Sequence, residues 1–214
     1  MRFLKLLQSG AAAALLLSGA PAKATPEQEF WKWFQKNEGS LYDFERDQEH
    51  TFDQLSVELH KLNPDLTFEF GPKENGRREF TIGADGIRAA FPEVEKLYAA
   101  APLLPRWRIQ KFRQRRPPSD ISYGGLTVKA AAVSVLVEPN GTMADLTVFV
   151  PGYTQVGHKA YAPIVYLLLD EALGEYDVET RVGGINIKAP EEASGPTCSL
   201  ADLPKRVDAL FAKK

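Results

Sequence analysis

Two Asn-Gly pairs, Asn75-Gly76 and Asn140-Gly141, each sit between short segments that alternate apolar and polar residues. A two-residue hairpin turn of this kind needs positive φ at both positions, which Asn and Gly tolerate, so each pair fixes where a strand must reverse. Around the first, Leu66, Phe68 and Phe70 alternate with Thr67 and Glu69, and Phe80 and Ile82 alternate with Glu79 and Thr81. Around the second, VSVLVEPNGTMADLTVFV repeats the pattern. A helix-spaced segment follows each hairpin, with Val94, Leu97, Tyr98 and Ala101 on one stripe and Tyr161, Ile164, Val165 and Leu168 on the other. A further strand closes each unit: RWRIQKFRQRR at 106–116 and RVGGINIKA at 181–189.

The two helix stripes share an offset of 67 residues, as do the first hairpin strands, Phe68/Phe70 against Val135/Val137. The second hairpin strands fit 66 better, and the closing strands lie further apart. The pattern predicts an α+β fold of two ββαβ units, at 64–116 and 131–189, joined edge to edge in one mixed or antiparallel sheet with helices on one face. Two helices precede them. One starts at Thr25 and Pro26 with Phe30, Trp33 and Phe34 on a stripe; the other runs over 41–62, with Phe44, Phe52, Leu55, Leu59 and Leu62 on one side, and stops before Pro64. A short helix at 202–212, using Leu203, Val207, Leu210 and Phe211, completes a single domain over 25–214.

Residues 1–24 read as a signal peptide: Arg2 and Lys5, an Ala/Leu run, then Ala22-Lys23-Ala24. Cleavage there leaves 23 Lys+Arg against 28 Asp+Glu, a balance of −5. The expected location is periplasmic or secreted, with no membrane contact after cleavage. Cys198 is the single cysteine, so the core rather than disulfides must hold the fold.

The run 106–116 carries six cations. As a strand it places Trp107, Ile109, Lys111, Arg113 and Arg115 on one side and Arg108, Gln110, Phe112, Gln114 and Arg116 on the other. A nucleic-acid binder needs a broad basic field, which an exported chain of net −5 does not supply. Acids gather at Asp170, Glu171, Glu175, Asp177 and Glu179, where the second-unit helix ends. Acids there oppose the helix dipole and point to a neighbouring positive charge, for which the basic strand is the candidate. Arg108, Lys111, Arg113, Arg115 and Arg116 therefore form either a binding surface for an acidic partner or one side of an internal ion-pair network. Tyr153, His158 and Lys159 add a candidate anion site at a helix start.

On the 41–62 helix, Asp43, Asp47, His50 and Gln54 make one wedge and Glu49, Asp53 and His60 an equally good second, so neither defines a metal site. There is no G-x-S-x-G, P-loop, G-x-G-x-x-G after a strand, H-E-x-x-H or C-x-x-C, and no cofactor is indicated.

The strings FWKWFQKNEGSLYDFERDQEHTFDQLSVEL, DLTFEFGPKENGRREFTIGADGI, LPRWRIQKFRQRRPP and YLLLDEALGEYDVET together resemble a family of bacterial proteins known only as a domain of unknown function. That resemblance runs from about Glu29 to Lys188 and implies an α+β domain, with no catalytic residues to transfer. The signal peptide departs from the family, whose members mainly lack one.

The reading that follows is a non-enzymatic exported module that binds a protein partner or an anionic small ligand, across the seam between the units. The alternative is a hydrolase or metal-dependent enzyme built on Asp170, Glu171, Glu175 and Asp177, which requires those carboxylates to converge in a cleft.

Overall fold

A computed structural model describes residues 23–212; the expected signal peptide falls almost wholly outside them. Helix α1 (Pro26–Lys36) begins as its sequence dictates: Thr25 Oγ1 accepts from the Gln28 N–H at 3.3 Å, and the Thr25 N–H donates to Gln28 Oε1 at 3.0 Å. It buries Phe30, Trp31 and Phe34, so Trp31 takes the place expected of Trp33. The cause is a second neighbour on that flank, where Trp31 Nε1 donates to the Leu97 carbonyl at 2.8 Å.

The single helix expected over 41–62 is instead three pieces: α2 (Glu38–Tyr42), a 3₁₀ turn at Phe44–Arg46, and α3 (Gln48–His60). The break has a physical reason in the sheet. Arg78 faces inward and is fully buried; its guanidinium lies 4.3 Å from the Phe44 ring and pairs with Glu45, both supplied by the turn. A continuous helix would not deliver those two side chains together. It also follows that Asp43, Asp47, His50 and Gln54 do not share one helical face.

In the first unit, β1 (Thr67–Glu74) pairs antiparallel with β2 (Arg77–Gly83) through the Asn75-Gly76 turn. Helix α4 (Phe91–Ala99) then returns the chain to β3 (Trp107–Lys111), parallel to β2, giving the order β1-β2-β3. Phe68, Phe70, Phe80, Ile82 and Trp107 lie on the face covered by the helices, and Glu69, Glu79 and Arg108 on the other. A small hairpin of β4 (Ile121–Tyr123) and β5 (Leu126–Val128) leads to the second unit.

There the pattern recurs. β6 (Ser134–Asn140) and β7 (Met143–Phe149) form the hairpin, α5 (His158–Leu173) crosses, and α6 (Glu175–Arg181) leads into β8 (Val182–Lys188), parallel to β7. β9 (Cys198–Ser199) pairs with the outer side of β6, and α7 (Leu203–Phe211) packs on the core. The order is β8-β7-β6-β9.

The pairings account for the unequal offsets. Phe70 faces Phe80 and Phe68 faces Ile82; Val137 faces Leu146 and Val135 faces Val148. β1 has a register shift between Phe70 and Lys73, one extra residue that the unbroken β6–β7 ladder lacks, so an offset of 67 becomes 66 across the turn. The closing strands drift further because α6 is an added element.

The two units do not share one sheet, contrary to the edge-to-edge expectation. The chain leaves β3 at Phe112, whose φ of +57° turns it away from the strand direction. Each unit keeps its own core: aromatic in the first, around Phe34, Phe80 and Trp107, and aliphatic in the second, around Val135, Leu146, Val148, Ile164 and Leu168.

Phe80 is the centre of the first core, its ring 5.0–6.5 Å from those of Trp31, Phe34, Phe68, Phe70 and Trp107. Phe80→Ala is expected to lower unfolding free energy by about 3–5 kcal/mol, measured by urea denaturation.

Candidate functional site

The basic run divides at Phe112. Its ring packs 4.6 Å from Phe91 and 5.2 Å from Tyr176, and its N–H donates to the Ile82 carbonyl at 2.7 Å. Beyond it, residues 113–119 form an arm laid against the end of α5 and the start of α6. The Arg113 guanidinium is bonded to Glu69 and Asp85 of the first unit and, at 3.2 Å, to Asp170 of the second. Arg115 pairs with Asp177 and Asp208 and donates to the Leu173 carbonyl at 2.9 Å. The Arg116 N–H donates to the Glu171 carbonyl at 2.7 Å, and its side chain lies 3.4 Å from the Glu171 carboxylate. Ser119 satisfies the same carboxylate through its N–H and hydroxyl.

Glu175 fastens this seam. Its side chain is fully buried and accepts from the N–H groups of Ala84 at 2.8 Å, Gly86 at 3.3 Å and Arg113 at 3.1 Å; its own N–H donates to the Arg113 carbonyl at 3.0 Å. The approach leaves no room for side chains. A Cβ on Gly83 would sit 2.8 Å from Glu175 Oε2, and one on Gly174, where φ is +80°, would sit 3.1 Å from the Arg113 carbonyl.

The electrostatics follow from this crowding. Burial raises Asp170 to about 6; Arg113 pulls the other way, but its charge is shared with two other carboxylates, and Glu175 adds to the rise. Burial works against the charge of Arg113, and its hydrogen bonds to Glu69 and Asp85 outweigh that, holding it above its ordinary value.

Thus Arg113, Arg115 and Arg116 meet Asp170, Glu171 and Asp177 in the seam, with Glu175 held there by main-chain N–H groups. Arg108 and Lys111 stay on β3, Arg108 at 3.8 Å from Glu79 and Lys111 at 2.6 Å from Glu95. Tyr153 and His158 touch each other, hydroxyl to Nδ1 at 3.1 Å, with Lys159 exposed beside them. His158 begins α5, twelve residues or roughly 18 Å along the helix from Asp170, so this group does not join the arm. Among the described residues, no group of three His, Cys, Asp or Glu is placed to hold a metal ion. The shallow depression nearest the seam, about 250 Å³, is lined by Asp177 but by none of Asp170, Glu171 and Glu175.

A larger cleft, about 590 Å³, lies beside β3, between the strand and the end of α4. Trp107, Ile109, Tyr98 and Leu104 line it, Arg77 stands at one side, and Leu103 is 99% exposed. Arg77 Nε donates to the Pro105 carbonyl at 3.0 Å and has no ion pair among the described residues. The sequence carried one sign of this feature: Leu103 and Leu104 are an apolar pair between Pro102 and Pro105, in a stretch that neither helix nor strand can bury.

The chain matches no protein-family model, and no curated protein matches it.

Three variants probe the seam. Glu175→Gln puts an amide donor against a main-chain N–H and is expected to cost about 1–3 kcal/mol of stability by urea denaturation. Reversing Arg113 to Glu among Glu69, Asp85 and Asp170 is expected to cost about 3 kcal/mol or more. Asp170 gives a pH signature. Its folded value lies above the ordinary 3.8, so its contribution to stability is whole below that pH and is lost as pH rises through about 6. The stability of the unaltered protein minus that of Asp170→Asn should fall between about pH 4 and pH 6 and stay level above about pH 7, as read by melts across that range.

Proposed function

We propose that this protein is a non-enzymatic exported module that binds an anionic partner with an apolar part at the outer side of β3. The observation that carries the reading is the fully exposed Leu103 at an apolar cleft, next to an Arg77 that no carboxylate neutralises among the described residues. Apolar surface left open beside unneutralised charge is how small-ligand and peptide sites combine affinity with orientation. The arginines of the seam are engaged internally and serve the fold, so the contact belongs on Arg77, Arg108 and the cleft rather than on Arg113 and Arg115.

Export rests on residues 1–24 and places the working protein in the periplasm or outside the cell. The expected first residue of the recovered protein is Thr25, by N-terminal sequencing of the exported fraction.

The naphthalene dye 8-anilinonaphthalene-1-sulfonate, an anion with an apolar body, is a direct probe. It should bind at one site, more weakly at high salt, and lose roughly tenfold or more in affinity in Leu103→Glu and in Arg77→Glu, with Lys159→Glu as the unaffected control. Equal binding by all four proteins would exclude the cleft as the site.

A further inference from the structure

The cleft borders an open sheet edge, and the hydrogen-bond pattern of β3 defines what that edge offers. The Arg78 N–H donates to the Arg106 carbonyl at 2.8 Å and the Phe112 N–H to the Ile82 carbonyl at 2.7 Å, so Arg106, Arg108, Gln110 and Phe112 turn their main chain toward β2. The residues between them turn outward. The Trp107 N–H is taken by the Leu104 carbonyl at 3.0 Å and the Lys111 carbonyl by Gln114 Nε2 at 2.8 Å. That leaves the Trp107 carbonyl, both main-chain groups of Ile109 and the Lys111 N–H pointing away from the sheet. They form a short template for another strand.

What fits there is set by the two faces of β3. Trp107 and Ile109 lie on the cleft side, and Arg108 on the opposite side. A strand laid along the edge would alternate likewise, sending one side chain into the cleft and its two neighbours toward Arg108. Cations at Arg77, Arg106, Arg108 and Lys111 surround the edge. Glu95 answers Lys111 closely, whereas the carboxylates nearest Arg106 and Arg108 stand at 4.0 and 3.8 Å. A second copy pairing through β3 would set these cations against each other, which disfavours a dimer at this edge.

We propose that the open edge of β3 accepts an extended peptide as a fourth strand, with an apolar side chain in the cleft and acidic residues on either side of it. This rests on the binding reading above and names the partner class: a segment that alternates acidic and apolar residues.

The test uses the exported chain, isotopically labelled, with an end-blocked heptapeptide that alternates Glu and Leu. A peptide of the same composition in two blocks, and one with Lys for Glu, serve as comparisons. Saturation with the alternating peptide should slow amide exchange at Ile109 and Lys111 by roughly tenfold or more, and Leu103→Glu and Arg108→Glu should each weaken binding by a similar factor. Binding without protection of those amides would overturn strand addition while leaving the dye-binding cleft in place. Equal binding of the block peptide would overturn it too. Protection that rises with protein concentration alone would make the occupant a second copy. Failure of both peptide and dye would remove the binding reading as well.

Discussion

A single buried carboxylate ties this molecule together. Glu175 receives N–H groups from Ala84 and Gly86, just after β2, and from Arg113, where the chain has left β3. Two separate segments of the first unit thus end on one side chain of the second. A carboxylate removed from water is costly unless its oxygens are fully satisfied, and main-chain donors do this without ordering flexible side chains. The small residues around it follow from the same need: Gly83 lies too close to the carboxylate for a Cβ, and Gly174 to the main-chain carbonyl of Arg113.

Around that contact the charges are arranged in layers. Arg113 is enclosed by acids from both units, while Arg115, Arg116 and Arg181 spread outward to Asp177, Glu171 and Asp208. The two cores are joined through a seam of charged and main-chain groups, with Tyr176 packed on Phe91 and Phe112 beside it. The basic run of 106–116 therefore has two roles divided by one residue in the left-handed region. Before Phe112 its cations flank an open edge; after it they hold the halves to each other.

Much of the fold was legible in the sequence because hairpins are local. Asn75-Gly76 and Asn140-Gly141 specify reversal without reference to the rest of the chain, and the two helix stripes needed only helical spacing. Even the one-residue change of offset, visible in the sequence, corresponds to the bulge at Gly71 and Pro72. What was not legible depended on partners distant in sequence. The broken helix at 43–47 reflects the burial of Arg78, and the preference for Trp31 over Trp33 reflects a carbonyl of α4. The separation into two sheets turns on the backbone of Phe112, a residue whose identity gives no hint of positive φ. At the seam, charge pattern alone indicated that acids and arginines meet. The cleft was hidden because an apolar pair between prolines reads equally well as punctuation.

The division into an aromatic and an aliphatic core also makes the halves optically distinct. All three tryptophans, Trp31, Trp33 and Trp107, lie in or against the first core. Intrinsic tryptophan emission therefore watches only that half, whereas the far-ultraviolet circular dichroism signal of the helices is spread over both. A melt followed by the two signals separates the loss of one half from the loss of the other without any added label.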